Sequence, residues 1–356
     1  MEKISITGMK DAIKFWTIAH DEPCLFRGRF GVGKTVATAQ VVEELNEPGA
    51  LAALGVEGLD GCVQCDIRLG QYDSVDMRGF PGVHRTTGQT IWHPPATMPF
   101  IGNNQWPDDK LILMTLDEIT SASPPVFGIA YQLINERRIG EHVLKPNVRL
   151  TAMGNLSSDK GIVNRLPMPL LNRMTQFEIV VAVDDWCHWA IGEGIPPLFI
   201  AFMKFRPNLL CTYDPAKSEE VVATPRTWEK AATAFRATMS DKLKHAIMQG
   251  LLGEGPALEL WGFKEIWSKV VPIKRILENP DTAPLPAEAS MQYATSVSVS
   301  GAMSQKTAGP LYQYLKRFDK PEFAILAWQL ATKRDRKVMQ TPEFLEFAAR
   351  YKQVFA

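Results

Sequence analysis

No stretch of this 356-residue sequence is apolar for the length that a membrane-spanning helix needs. The opening residues, Met1-Glu2-Lys3-Ile4-Ser5, do not begin an apolar signal-peptide core, so a cytoplasmic location is expected. Neither sign of charge dominates, since Lys plus Arg and Asp plus Glu number 39 each. A global basic field that would draw the chain to nucleic acid is therefore absent, although a local basic patch stays open. Cysteine is sparse, with five scattered residues. Cys62 and Cys65 form a C-x-x-C, but a structural zinc needs a second pair of ligands. Cys187, His188 and Cys211 do not supply a matching one. A redox pair belongs at a helix start, whereas this one falls in an extended-looking stretch at 62–69. Two reduced cysteines buried in a strand are the expectation, in keeping with a reducing compartment. Internal repeats and heptads are missing too, which sets aside solenoid and coiled-coil designs.

What is present describes a globular chain, 46% hydrophobic and 22% charged, of a length that predicts about two domains. One segment organises it. Gly28-Arg29-Phe30-Gly31-Val32-Gly33-Lys34-Thr35 fits G-x-x-x-x-G-K-[ST] at every fixed position. Before it, residues 23–27 are short and apolar enough for a buried strand. After it, residues 36–45 contain no Gly or Pro and suit a helix. Strand, glycine loop and helix start together make a phosphate cradle of backbone N–H groups. Lys34 is expected to reach the outer phosphates, and Thr35 to hold Mg²⁺.

A second segment completes the pattern. Leu111-Ile112-Leu113-Met114-Thr115-Leu116 is a continuous apolar run, followed at once by Asp117-Glu118. Such a run reads as a strand buried on both faces, and its carboxyl end is where α/β sheets bind ligands. Asp117 would orient Mg²⁺ through its water shell, and Glu118 would polarise the attacking water.

Residues 6–20 read as a helix, 62–69 and 148–153 as strands, and 125–136 as a helix. The strand at 148–153 ends on Gly154-Asn155. A fifth strand is predicted at 176–183. Five strands separated by helices or long crossovers make a doubly wound parallel sheet with helices on both faces. Residues 83–99 read as a hairpin-like insertion. Its Trp92 serves either as an exposed contact or as packing, and these readings stay open. From Asp184 the pattern turns helical, with helices at 197–205, 242–252 and 263–277. Another opens at Thr224-Pro225-Arg226, with Thr224 as cap and Pro225 in the first turn. Residues 281–309, rich in Ala, Ser, Thr and Pro, read as a linker. C-terminal helices are predicted at 311–318, 322–334 and 343–355. The resulting domain boundaries are 1–183, 184–280 and 281–356.

These pieces in this order resemble the AAA+ ATPases, and among them the MoxR-like group, over about the first two-thirds of the chain. Residues 28–35 match Walker A and residues 111–118 match Walker B. Asp76-x-x-Gly79 is similar to the family's turn after the second strand, and 83–99 looks like its helix-2 insertion. Asn155 matches sensor 1, Leu171-Asn172-Arg173-Met174 resembles the arginine-finger segment, and Thr224-Pro225-Arg226 resembles sensor 2. Thr120-Ser121 replace the Asn-Arg that often follows Walker B in the family.

The resemblance implies a P-loop AAA+ nucleotide-binding domain, a small all-α lid and a helical C-terminal extension, using ATP and Mg²⁺. It implies hydrolysis in a homo-oligomeric ring, commonly a hexamer. Arg226 would report nucleotide state to the lid, and Arg173 would act on a neighbour's ATP. A surface ion pair is the competing reading of Arg173, a simple capped-helix arginine that of Arg226, and Arg165 is the second choice of finger. Such ATPases remodel a protein client, often beside a separate protein with a von Willebrand factor A domain. The rival is a DNA-acting motor, which would need basic residues facing its pore. The insertion carries Arg85 as its only fixed positive charge, which makes nucleic acid the less favoured partner. A scaffold that hardly turns ATP over is a third reading, opposed by Glu118.

Overall fold

Leu111–Asp117 is buried at its first six positions, and that burial explains the architecture. Leu111 and Leu113 join a hydrophobic cluster with Phe26, Val41, Leu45 and Ile179. Ile112, Met114 and Leu116 point the other way, into a cluster with Val126, Ala130 and Leu133. A strand that buries alternate residues into two separate cores needs cover on both faces of its sheet. Helices Ile6–Ala12 and Lys34–Leu45 line one core, and Pro124–Glu136 lines the other.

The computed structural model describes residues 1–159, 164–217 and 219–351. Its strands are β1 (Glu2–Ile4), β2 (Cys24–Gly28), β3 (Cys62–Arg68), β4 (Phe80–Val83), β5 (Thr90–His93), β6 (Leu111–Asp117), β7 (Arg138–Ile139), β8 (His142–Val143), β9 (Val148–Gly154) and β10 (Thr175–Ile179). Six form one sheet in the order β1-β10-β2-β9-β6-β3, parallel throughout. The sheet thus has six strands where five were predicted. The extra one, β1, spans three residues and sets Ile4 against Ile179, too few residues to show a period. β10 ends at Ile179, not at Val183. Val183 instead opens the helix Val183–Gly192, whose first turn carries Asp184 and Asp185, charges that favour a helix N-terminus over a strand interior. The predicted helix at 6–20 changes pitch, with an α-helical start and a π-helical stretch at Ile13–Ile18.

Two small hairpins accompany the sheet. β4 pairs with β5, setting Pro81 against Trp92, and β7 pairs with β8. The turn into the first depends on Gly79, whose φ is 86°. A Cβ there would lie 1.9 Å from the His93 carbonyl oxygen, so only glycine fits. Asp76 accepts the Asp73 N–H at 2.8 Å and so caps the helix Ser74–Arg78.

Contacts divide the chain into two units, Met1–Val181 and Ala182–Ala356. Among the described residues the second contains helices and no strand. Its core gathers Ile276, Leu311, Tyr314, Trp328 and Phe347. Three predicted elements differ. Residues 263–277 are parts of two helices, Glu254–Trp267 and Ile273–Glu278, because Pro272 cannot continue the first. The predicted linker contains a helix, Ala289–Ala302, with Ala294, Val297 and Val299 buried. It contacts the helices Pro197–Phe205 and Pro321–Arg334. Its small residues carry no apolar period, but they let neighbouring backbones approach closely. The last helix runs Pro342–Arg350, and residues 352–355 of its predicted span lie outside the described residues. No helix among the described residues is long and apolar enough to cross a membrane.

Candidate phosphate-binding site

Glycine is required through the loop for two different reasons. Gly28 closes β2 beside Ile179 of β10, and a Cβ there would come within 2.8 Å of Ile179 Cβ. Gly31 and Gly33 have φ of 70° and 103°, which side-chain-bearing residues adopt at a cost. Gly33 is also the residue from which the helix Lys34–Leu45 starts. Val32 is buried in the core below, Arg29 is half-buried, and Phe30 is exposed. Strand, loop and helix N-terminus therefore follow one another as a phosphate cradle requires.

Lys34 is buried. Its Nζ donates to the carbonyls of Gly28 at 2.7 Å and Arg29 at 3.0 Å, and to Asn155 Oδ1 at 3.4 Å. Thr35 Oγ1 donates to Asp117 Oδ2 at 2.9 Å. The other oxygen, Oδ1, accepts the Glu118 N–H at 2.8 Å. Asp117 is thus oriented through both oxygens. Glu118 is exposed and has φ of 54°, a left-handed conformation costing a non-glycine residue about 1–2 kcal/mol. Such strain concentrates at functional sites. The Thr35 hydroxyl and the Asp117 carboxylate are hard oxygen donors of the kind that suit Mg²⁺. Among the described residues no group of three or more His, Cys, Asp or Glu could hold a metal by itself.

Two residues not singled out from the sequence belong here. Thr120 is buried, and its Oγ1 accepts the Asn155 N–H at 2.9 Å. Its methyl group occupies the space over Gly154, where a Cβ would lie 2.6 Å from Thr120 Cγ2. The carboxyl end of β6 is thereby tied to β9 through a residue that stood out in the sequence only as a departure. Asp66 is the other. Its carboxyl is held above the usual range by burial and then by Asp117, while Arg68 opposes the shift. Arg68 sits beside Asp117 in the β3–β6 register and pairs with Asp66 at 3.6 Å. Its place two residues before the carboxyl end of β3 was the available signal.

The structure brings Lys34, Thr35, Asp117, Glu118 and Asn155 together. Arg173 instead lies exposed against the helix Pro124–Glu136, with Nε donating to Asn135 Oδ1 at 2.5 Å and its guanidinium 5.3 Å from the Tyr131 ring. Arg165 is also exposed. Arg226 belongs to the second unit, exposed in the first turn of Pro225–Arg236, behind a Thr224–Thr227 capping box. Trp92 is half-buried beneath the Arg78 guanidinium, 5.3 Å from its ring, and its backbone N–H donates to Glu141 Oε1 at 3.2 Å. Cys62 and Cys65 enter different cores, and burial pushes both thiols up to about 12. From opposite faces of one strand, the two thiols do not meet each other.

The fold and this loop define a P-loop α/β architecture. No protein-family model matches the chain, and no curated protein matches it. Solved structures to which the chain shows similarity include a Cytophaga hutchinsonii protein named "putative ATPase", at 12% identity and TM-score 0.34, covering 92% of this chain and 79% of that one. Another is Hsp104 in a closed state with ATPγS and FITC casein, at 15% identity and TM-score 0.34, covering 77% of this chain and 48% of that one. A third is NtrX from Brucella abortus, at 12% identity and TM-score 0.33, covering 98% and 68%.

Proposed function

We propose that the chain is an ATP-hydrolysing, ring-forming AAA+ ATPase of MoxR-like type that remodels a protein client. The observation that supports this most is the Thr35–Asp117 hydrogen bond. It joins the hydroxyl of a phosphate loop to a carboxylate at the end of a buried strand, with Lys34 and Asn155 alongside. Phosphoryl transfer asks a protein chiefly for positioning and charge stabilisation. Lys34 and the loop amides would hold the phosphates, and Asn155 and Glu118 would orient and polarise the attacking water. Mg²⁺ held through Thr35 and Asp117 would neutralise phosphate charge. Arg226, in a lid formed from 184–280, would sense the nucleotide, while 281–356 extends that helical unit. Arg173, exposed in the turn before β10, would serve a neighbouring subunit in a ring, with a hexamer expected.

Exposed apolar side chains support a protein client. Phe80 and Val83 on the β4–β5 hairpin are 67% and 70% exposed and would be available to a client chain. A separate von Willebrand factor A domain protein would deliver the client. The test is Lys34→Ala, which removes the buried cation that the loop carries at its helix start. ATP binding by calorimetry should be lost, and unchanged affinity would sink the assignment.

A further inference from the structure

β3 is the last strand of its sheet. Among the described residues it pairs with β6 and with no strand on its other side, so one row of backbone groups stays open. A cavity of about 360 Å³ lies against it. Cys65, Asp66 and Ile67, three residues in succession, line that cavity. Side chains alternate between the two faces of a strand, so a space bounded by three in a row runs along the strand's edge. Tyr72, Gln105 and Trp106 form other walls, and both aromatic residues pack against the core below. Trp106 Nε1 donates to the Ala96 carbonyl at 3.4 Å, and Asn103 Nδ2 donates to the carbonyls of Ala96 at 2.9 Å and Met98 at 2.8 Å. Cys65 Sγ donates to the Thr97 carbonyl at 3.8 Å. The wall at 96–97 is thus fastened both to β3 and to Trp106.

The one charged side chain lining this cavity is Asp66. Its partner Arg68 lies 3.6 Å away with 53% of its own side chain exposed, and an ion pair that open contributes little. A carboxylate left largely uncompensated beside two aromatic rings is the chemistry that recognises an organic cation. We propose that this cavity binds the guanidinium of an arginine presented by another protein chain. A guanidinium is planar and weakly hydrated, so it stacks on aromatic faces and meets a carboxylate through two N–H groups. The Gln105 amide is at hand for a further N–H. A lysine ammonium is a strongly hydrated point charge and should be the second choice. The open edge of β3 favours a protein source, because an extended segment can pair with it while its side chain enters the cavity. The space lies near the lower end of ligand pockets, roughly 300–1,000 Å³, which suits one long side chain. The inference stands whether or not the chain hydrolyses ATP.

The test is calorimetric titration of the nucleotide-free full chain with a short extended peptide holding one arginine. Its citrulline and lysine counterparts and N-acetylarginine amide are titrated in parallel. Citrulline keeps the planar shape of arginine and lacks the charge. The arginine peptide should bind roughly tenfold or more tightly than the citrulline peptide, the scale of a charge-assisted hydrogen bond joined to a cation–π contact, with lysine between them. Asp66→Asn and Trp106→Leu should each erase most of that preference. Gln105→Glu, at an exposed position, adds a second carboxylate to the cavity and should strengthen arginine binding severalfold, which keeps the test open if the other two variants do not fold. Equal binding of the arginine and citrulline peptides to wild type would overturn the proposal. So would a preference left unchanged in the folded variants. The free amide binding as tightly as the peptide would overturn the protein source and leave a small organic cation as the occupant.

Discussion

At the residue scale the decisive contacts are single hydrogen bonds. Thr120 shows this best, because its hydroxyl holds the Asn155 amide and its methyl fills the space that Gly154 leaves. Thr120→Val keeps the shape and removes the acceptor, which strands a buried N–H at about 1–3 kcal/mol. ATPase turnover should fall by about tenfold, the equivalent of 1.4 kcal/mol, with KM for ATP little changed. Thr120→Ser keeps the acceptor and should stay within a few-fold of wild type while melting earlier. Steady-state kinetics on both variants separates a positioning role from a packing one. Glu118→Gln should bind ATP normally and hydrolyse it very slowly, because an amide cannot polarise water. Turnover within a few-fold of wild type would mean that another residue activates the water. Lys34, Thr35, Asp117 and Glu118 were legible from sequence because a phosphate loop and a buried strand ending in carboxylates have local signatures. Thr120 and Asp66 were not, since their roles depend on which strand lies beside which.

At the element scale, turns and helix contacts carry the argument. Gly79→Ala would place a Cβ against the His93 carbonyl, and the backbone at that φ already disfavours a side chain. Hydrogen exchange should speed up at residues 80–83 and 90–93, with ATP binding retained. Glu44 ties two helices by pairing with Lys10 and with Lys14, the latter at 3.0 Å. Burial pushes its carboxyl up, but the two lysines outweigh that and leave its pKa below the ordinary glutamate value. A depressed carboxyl pKa adds stability above the unfolded value, and that stability is lost as pH falls through the folded one. Glu44→Gln should therefore melt earlier than wild type at neutral pH, and the gap should close on acidification below about pH 4. The helices at 197–205 and 225–236 were readable from Pro and capping residues. The helix Ala289–Ala302 was not, because Ala, Ser and Thr reveal a helix only once neighbours pack against it.

At the scale of the whole molecule, assembly would decide which nucleotide Arg173 serves. Arg173→Ala subunits keep their own phosphate loop, and Lys34→Ala subunits keep an intact Arg173. If Arg173 acts on a neighbour's nucleotide, mixing the two inactive variants should restore part of the activity. Loss of an arginine finger alone costs about 10³-fold or more, so a modest rescue is readily measured. No rescue in mixed rings, with ring formation checked by gel filtration, would make Arg173 a surface residue held by Asn135 and Tyr131. The amino-acid sequence by itself determined the phosphate loop, the buried strands and the carboxylates that end one of them. Each of these is written in neighbouring residues, as glycine spacing or unbroken apolarity. Only the tertiary structure decided the sixth strand, the opposite faces of Cys62 and Cys65, and the tie from Thr120 to Asn155. Those depend on strand order and close approach between residues distant in the chain, and no local pattern encodes either.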